Sequence, residues 1–445
     1  MSERIKIQKN ITSFQIIILG FIGVILAGAI ILMLPVSSKS GTFTPFDKTL
    51  FTATSAVCVT GLAVVDTASY WSYFGQAVIL LLIQVGGLGV VTVALFFSII
   101  VGKKISLKER ATMQSAMSLP HVGGMVRLTR FIFITTFIVE SIGAIFLVPF
   151  FYPKYGLKGI WMSVFHSISA FCNAGFDLMG ESEGQFSSLT FAASSPYLSV
   201  VIAALIIVGG LGFFTWSDVT SKRTNFKEYQ MQTKMILITT AVLIVVPMLC
   251  FFIFEFNEGA LTERVCKAFF QAVTPRTAGF NTADISLMSD RGRIIIMMLM
   301  LIGGAPGSTA GGVKTTTAAL LFANIIAVFK KKQNVNCFGR RIEDSVVKNA
   351  SAIVLMYVVM AFTAAVLISM RENLSMSLCL FETVSAIGTV GLTLGITPEL
   401  SVFSHMILII LMFMGRVGGL TLVYAALSNK ETVSLKYPEG NIMIG

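Results

Sequence analysis

Residues 54–62 read TSAVCVTGL, a run of small residues that ends on Gly61 and one apolar residue. The pattern returns three times, as SAFCNAGF at 169–176, VTPRTAGF at 273–280 and SAIGTVGL at 385–392. The four glycines lie roughly 110 residues apart, and a period of this kind decides the architecture before any single element does. The sequence therefore predicts four modules of one kind.

Each copy can supply backbone carbonyl groups to a pore. Glycine reaches backbone angles that other residues avoid, so the segment before it can stay extended with its carbonyls turned to one side. Four such segments around one axis would replace the hydration shell of a cation, as a selectivity filter does. The alternative is that these glycines only let membrane helices pack closely. Recurrence at the same place in four modules favours a filter, with these residues: Val59, Thr60, Gly61, Asn173, Ala174, Gly175, Thr277, Ala278, Gly279, Thr389, Val390 and Gly391.

The composition is typical of a polytopic membrane protein. Of 445 residues, 55% are hydrophobic and 12% are charged, about half the charged share of a soluble domain. The net charge of +11 sits in loops rather than on a basic, aromatic-bearing domain, so no nucleic-acid partner is expected. The six cysteines show no Cys-x-x-Cys spacing and no pairing with histidine, and we interpret them as free thiols rather than disulfides or metal ligands.

Each module reads as a long apolar span, a half-helix, the glycine segment and a second span. The half-helices are too short for the ~30 Å hydrocarbon layer and must re-enter; they fall at about 46–58, 160–172, 262–274 and 377–387. The predicted fold is all-α and integral to the membrane: eight spans in four span–pore-loop–span repeats, with pseudo-fourfold symmetry around one pore. The predicted segments are a cytoplasmic amino terminus at 1–12, repeats at 13–101, 127–219, 234–330 and 346–428, and a cytoplasmic tail at 429–445.

The second spans are predicted as single helices at 73–101, 196–217 and 402–427. They carry glycines in mid-membrane, which we attribute to close helix packing below the filter. The second span of the third repeat is different, because its Gly, Pro and Ser/Thr content cannot hold a lipid-facing helix and must line a cavity. This interrupting segment consists of Gly303, Gly304, Ala305, Pro306, Gly307, Ser308, Thr309, Ala310, Gly311, Gly312, Val313 and Lys314.

Two features of the interrupting segment bear on function. It is not a phosphate-binding loop, since Lys314 follows Val313 rather than Gly and no strand–helix unit surrounds it. Arg416, in the fourth repeat, lies within the apolar run 407–422. An arginine so deep in a span is costly and faces a partner or water, so it either serves function or is a snorkelling or paired structural residue.

The charged loops predict the orientation. Lys and Arg concentrate at the amino terminus, between the modules and in the tail, which places those faces and both termini in the cytoplasm. The opposite face is rich in acids, among them Asp66, Asp177 and Asp284. These acids either concentrate cations at an outer mouth or are ordinary solvated loop charges.

This constellation resembles the Trk/Ktr/HKT superfamily of potassium transporters over essentially the whole chain, and is most like the Ktr-type membrane subunit. Sodium-selective plant members of the HKT group carry Ser at the first filter position, where this chain keeps Gly61. The resemblance implies potassium uptake across the plasma membrane by a homodimer, each protomer with its own pore. It also implies a cytosolic ring of nucleotide-binding regulatory subunits and, in many members, stimulation by sodium. No cofactor is expected in this chain: K⁺ is transported at the filter, and the nucleotide belongs to the partner.

The same resemblance gives roles to two of the features above. In the family the matching loop lies under the filter and obstructs the pore, with an arginine beside it that repels cations. We therefore expect residues 303–314 and Arg416 to form the gate.

Other functions were weighed against transport by a regulated subunit. Within transport, the alternative is a passive, weakly selective sodium/potassium channel without a regulatory partner. A membrane enzyme is not expected, because the sequence has no Gly-x-Ser-x-Gly and no His-Glu-x-x-His. An adaptor for cytosolic proteins would not need four filter-like segments. The short cytosolic tail favours a prokaryotic, and most simply a bacterial, source.

Overall fold

The computed structural model describes residues 12–102, 106–117, 124–192, 195–223 and 225–419. Within them the regular secondary structure is almost entirely helical, and one order of elements recurs four times. Helices are numbered along the chain from α1 to α17. The amino-terminal segment before Thr12, the predicted end of the last span from 420 and the tail at 429–445 lie outside the described residues.

The first span of every repeat is one continuous helix, long and apolar enough to cross a membrane. Mean hydropathy over the best window of each lies between 2.3 and 3.0, and large apolar side chains on their outer faces are exposed. Such faces suit contact with lipid, because each helix satisfies its own backbone. These spans are α1 (Ser13–Met33), α7 (Met125–Tyr155), α11 (Met231–Phe254) and α15 (Asp344–Glu372).

The four half-helices are confirmed, with ends within three residues of the prediction. The longest has 15 residues, about 22 Å at 1.5 Å per residue, and therefore cannot cross the hydrocarbon layer. Each is followed by the non-helical segment that ends on its glycine. They are α2 (Phe46–Val57), α8 (Leu157–Phe171), α12 (Leu261–Val273) and α16 (Met376–Gly388).

The second spans are broken, and the prediction of single helices at 73–101 and 196–217 was wrong. The two halves of the first meet at 95° and those of the second at 94°. In the third repeat residues 302–314 separate the halves, as predicted, and in the fourth the helix ends just before Gly418. The halves are α4 (Tyr73–Leu88) and α5 (Val90–Ile100), α9 (Pro196–Gly210) and α10 (Phe213–Lys222), α13 (Asp290–Leu301) and α14 (Thr315–Phe329), and then α17 (Val402–Val417).

A glycine with a positive φ lies at each of the two described bends, at Gly89 and Gly212, with φ of 87° and 85°. Gly418, which follows the end of α17, has a similar φ of 91°, and a side chain would resist this backbone at all three positions. Each follows by three residues a glycine that packs against a half-helix. The repeated glycine spacing in the sequence predicts close packing but not the break.

The remaining elements connect the repeats. Two more helices are α3 (Thr67–Tyr70) and α6 (Leu107–Met117). A small hairpin of β1 (Asn336–Cys337) and β2 (Arg340–Arg341) joins α14 to α15. Single 3₁₀ turns lie at Pro35–Ser37, Thr190–Ala192, Phe226–Glu228, Ile285–Leu287 and Thr397–Glu399.

The repeats close into a ring. Every half-helix packs against the first span of its own repeat, as α2 does against α1. Every second span also contacts the half-helix of the next repeat: α4 with α8, α9 with α12, α13 with α16, and α17 back to α2. This cyclic packing gives the predicted pseudo-fourfold arrangement around one axis.

Glycines let the second spans approach the ends of the half-helices. A methyl group on Gly86 would lie 2.0 Å from the carbonyl oxygen of Val57. A methyl group on Gly209 would lie 1.9 Å from the carbonyl oxygen of Phe171, and one on Gly415 would lie 2.1 Å from that of Ile387. No side chain fits at these distances, so the close packing expected from the sequence holds at all three positions.

We expect Gly209→Ala to destabilise the fold by about 1–3 kcal/mol, because the new methyl group must displace the backbone of Phe171. Gly23→Ala is the matched control, since Gly23 lies in α1 with no atom within 4 Å of the added carbon, and alanine favours a helix. Thermal unfolding in detergent measures both. Equal melting temperatures for the two variants would contradict the packing role.

Candidate functional site

The four glycine segments share one backbone conformation. The residue two before each glycine is left-handed although it is not glycine, with φ of 57°, 58°, 66° and 52° at Val59, Asn173, Thr277 and Thr389. The glycines themselves have φ of 92°, 70°, 76° and 89° at Gly61, Gly175, Gly279 and Gly391. Left-handed non-glycine residues are uncommon, and strained backbone persists only where the surroundings impose it. The fourfold recurrence identifies one local structure, built four times.

These segments also meet one another in a closed ring. A methyl group on Gly61 would lie 2.5 Å from the Ala174 carbonyl oxygen, and one on Gly175 2.9 Å from that of Ala278. A methyl group on Gly279 would lie 2.5 Å from the Val390 carbonyl oxygen. A methyl group on Gly391 would lie 2.1 Å from the carbonyl oxygen of Thr60, and this contact closes the ring. Each glycine thus faces the carbonyl before the next glycine, and these contacts involve eight of the twelve residues predicted for the filter.

The half-helices hold the segments through serine, a contribution that the sequence analysis missed. Ser55, Ser169 and Ser385 each accept, on the backbone oxygen, the N–H five residues later at 2.8–2.9 Å. The hydroxyls of Ser55 and Ser385 also accept the N–H of Gly61 and Gly391, both at 3.1 Å. The sequence does contain a signal for these contacts, because in three of the four copies a serine stands six residues before the glycine.

The third segment departs from this plan. Val273 stands where the other repeats have serine, and Ala278 donates its N–H to Thr274 at 2.9 Å instead. Thr274 restores a hydroxyl contact by donating to the Phe280 carbonyl. The ring therefore tolerates one quarter with different support.

An acidic vestibule of about 440 Å³ lies on one side of the ring. It is lined by all four ring glycines and by Asp66, Asp177 and Asp284, and by no Lys or Arg among the described residues. Burial raises the pKa of the Asp177 carboxyl to about 7; the N–H of Met179, a 2.9 Å hydrogen bond, opposes the rise, and the charge of Asp66 adds to it. The vestibule therefore carries more negative charge above neutral pH than below it.

Residues 302–314 lie against the opposite side of the ring. Thr309 donates its hydroxyl to the Phe171 carbonyl at 3.0 Å. A methyl group on Gly303 would lie 3.1 Å from Cγ2 of Thr277, and one on Gly311 2.1 Å from Oγ1 of Thr389. The segment thus contacts the start of the glycine segments in the second, third and fourth repeats.

The same segment replaces the helical hydrogen bonds that the break in α9 removes. In an unbroken helix the Gly209 carbonyl would accept from Phe213. Instead Phe213 donates to Gly307 at 2.9 Å, while Gly209 and Gly210 accept from Thr309 and Ala305 at 3.4 and 2.9 Å. The break and the segment satisfy each other's backbone groups.

Arg416 connects the segment to the first repeat. Its guanidinium donates to the carbonyl of Thr309 and to those of Gly86 and Gly87, the last at 2.9 Å. The two glycine carbonyls lie in the last turn of α4, where helical donors run out. Arg416 is therefore paired with backbone oxygens of two distant elements, which the sequence could not indicate.

Below the segment is a cavity of about 540 Å³. Arg416 and Lys314 line it together with apolar side chains of α1 and α15, and no Asp or Glu of the described residues does so. A positive charge in a narrow, weakly polar passage opposes cations far more than it does in water. The ring, the segment and the cavity follow one another along a single path.

Comparison with known proteins agrees with this architecture. The sequence model of the TrkH family, described as cation transport protein, matches residues 4–434. The potassium/sodium uptake protein NtpJ of Enterococcus hirae is 41% identical over 452 residues, 99% of each chain. Ktr system potassium uptake protein B of Bacillus subtilis is 39% identical over 438 residues, 97% of this chain and 96% of the relative.

A solved structure shares the fold. The potassium transporter TrkH from Vibrio parahaemolyticus superposes with a TM-score of 0.74 at 15% sequence identity, over 96% of this chain and 87% of that one. The fold and the family match cover nearly the same residues. The chain belongs to the TrkH family of cation transport proteins, and it is a membrane transporter rather than an enzyme.

Proposed function

We propose that the protein takes up potassium across the cell membrane as the ion-translocating subunit of a Ktr-type system. The closed ring of four glycine segments carries the proposal, because backbone carbonyls around one axis suit a dehydrated alkali cation. Relatives at 39–41% identity are named for potassium or potassium/sodium uptake, which supports the choice of ion.

Growth of potassium-transport-deficient cells in low potassium tests this function. Cells that express the protein should grow and accumulate K⁺, and repeating the assay with and without sodium measures any sodium dependence. Equal Na⁺ and K⁺ flux, with no response to cytosolic factors, would instead support the passive, weakly selective channel.

In this proposal the carbonyls of the ring coordinate K⁺ after its water is removed. The amino-acid side chains at the ring differ between repeats, whereas the backbone conformation is the same. The C-terminal ends of the half-helices, with their partial negative charge, add a favourable potential. The ring residues therefore act through their main chain, and the glycines act by leaving room for the neighbouring carbonyl.

We expect Gly61→Ser to lower selectivity for K⁺ over Na⁺ by about tenfold or more, equivalent to ~1.4 kcal/mol, because the side chain displaces the Ala174 carbonyl. Gly41→Ser is the matched control: Gly41 also has a positive φ, 67°, but no atom lies within 4 Å of the added carbon. Competition of Na⁺ with Rb⁺ uptake in liposomes measures the ratio. Wild-type selectivity in the Gly→Ser variants at all four ring glycines would exclude the filter.

The segment 303–314 and Arg416 form the gate in this proposal. The segment covers the inner side of the ring, and Arg416 ties it to α4 across the axis. Glycine content gives the segment alternative arrangements at modest cost. Opening then requires that the segment leave the carbonyls of Phe171, Gly209 and Gly210.

Deletion of Ala305–Ala310 should raise K⁺ flux per folded protein several-fold and reduce its dependence on regulation, because the obstruction is removed. Arg416→Ser should act in the same direction but less strongly, since the segment keeps its contacts with α9. Flux in liposomes with equal amounts of monodisperse protein measures both. Unchanged or lower flux in both variants would show that the segment only supports the fold.

The acidic vestibule is the outer mouth in this proposal. Asp177 loses its charge as the pH falls through about 7, so the KM for external K⁺ should rise by about two- to threefold from about pH 8 to about pH 6. At both pH values Asp177→Asn should have the higher KM that the wild type shows at about pH 6. Most of the pH dependence of KM should therefore be lost in this variant. Glu258→Gln, an exposed acid outside the vestibule, is the control. A pH dependence that survives in Asp177→Asn would assign it to another group.

In this proposal the protein forms a homodimer that binds a cytosolic ring of nucleotide-binding regulatory subunits. Both termini of each protomer lie in the cytoplasm. One relative is named protein B of a Ktr system, which supports a system of several components. Exposed basic residues at Lys330–Lys332 and on β2 offer a docking surface, although the positive-inside rule alone accounts for them. Native mass spectrometry after purification from the source membranes tests dimer and partner together; a lone monomer at low salt would contradict both.

A further inference from the structure

Lys314 ends the gate segment and turns back onto it. It is the N-cap of α14, and its ammonium donates to the carbonyls of Ala310 at 2.7 Å and Gly311 at 3.4 Å. Arg416 holds the carbonyl immediately before these, that of Thr309. Three consecutive carbonyl groups of the segment are thus engaged by two cationic side chains.

No acidic side chain balances these two cations. Among the described residues neither takes part in an ion pair, and the cavity that both line contains no Asp or Glu. The hydrogen bonds that the two cations donate within the described residues all go to backbone oxygens. A charge held in a membrane interior without a counter-charge points to a functional role.

The two cations differ in what they hold. Arg416 joins the segment to α4 in another repeat, and so fixes its position. Lys314 joins the segment only to itself, over four residues, and the segment keeps its bonds to α9 and Phe171 without it. The anchoring of the segment therefore does not require the ammonium group of Lys314.

An ammonium group and a potassium ion compete for the same ligands. The ammonium has three N–H donors and no acceptor, and carbonyl oxygens are also the groups that replace the water around K⁺. Ala310, Lys314 and Arg416 all line the cavity, so an ion that leaves the ring toward the cavity must pass these groups. The carbonyls of Ala310 and Gly311 are taken by a cation that belongs to the protein.

We propose that Lys314 is a tethered cation that occupies the carbonyls a permeant ion must use to pass the gate. The inference rests on the proposed potassium transport and on the gate. For an ion to pass the gate, the ammonium group of Lys314 must leave the carbonyls of Ala310 and Gly311. The vacated carbonyls then form a site selective for a small cation with N–H donors or for K⁺ itself. Lys314 is accordingly a blocking residue of the closed gate, and the vacated site is a binding site for primary ammonium ions.

Chemical rescue in liposomes tests the proposal. Lys314→Ala should raise K⁺ flux several-fold, and methylammonium on the cytosolic side at millimolar concentration should return it toward the wild-type value. Tetramethylammonium, which has no N–H donor, should not do so, and wild-type protein should respond to neither. Lys314→Met removes the charge with little change in length, and should also raise flux. Lys332→Met, on the exposed surface beyond α14, is the matched control.

Each outcome decides the matter. Wild-type flux in Lys314→Ala and Lys314→Met, with raised flux in the Ala305–Ala310 deletion, would overturn this inference and leave the gate intact. If flux rises in the variants but methylammonium and tetramethylammonium lower it equally, Lys314 acts only as a general electrostatic barrier. That result would also overturn the inference. If Lys314→Ala does not fold, Lys314→Met must exceed Lys332→Met in flux for the proposal to stand. Absence of K⁺ flux in both the wild type and the deletion would refute the proposed function itself.

Discussion

Backbone carbonyls that lose their helical donors govern the arrangement of this protein. A membrane helix satisfies its carbonyls internally, and each break exposes several where neither lipid nor bulk water can serve them. The break in α9 leaves Gly209 and Gly210, which the segment at 302–314 satisfies. The break in α4 leaves the Gly87 carbonyl, to which Arg416 donates, and Arg416 also donates to the Gly86 carbonyl, which already accepts from Gly89. The bends in two spans and the inserted segment are therefore linked through shared hydrogen bonds of their backbone groups.

The ring obeys the same constraint in the opposite sense. In the function proposed above its carbonyls must stay available for an ion, and N–H groups of the first, second and fourth segments are bound instead to backbone or hydroxyl oxygens of serines in the half-helices. Left-handed residues such as Val59 and Thr389 are strained, and these bonds hold them in place. The third repeat achieves the same backbone with Val273 and Thr274, so hydroxyl placement rather than one serine position is what the ring requires.

The sequence indicated the repeats and half-helices because both are local patterns: a glycine after small residues, and apolar runs too short to span. It also indicated the interruption at 303–314, since Pro306 and five glycines there cannot form a helix. It did not indicate the breaks at Gly89 and Gly212, because Gly-Gly-Leu-Gly suits both close packing and a bend, and only the left-handed φ distinguishes them. The partners of Arg416 and Lys314 were equally inaccessible, because backbone carbonyls have no identity in a sequence.

The inserted segment at 302–314 occurs in only one of the four repeats. A pore built from four identical chains could not have such a segment in one quarter alone. In such an assembly any inserted segment would occur four times and would crowd the axis. Joining the repeats in one polypeptide removes that restriction, so the first and second repeats keep a bare glycine bend while the third carries the inserted segment. In the gate proposed above the pore has a single moving part, and its conductance should switch between two levels rather than pass through graded intermediates.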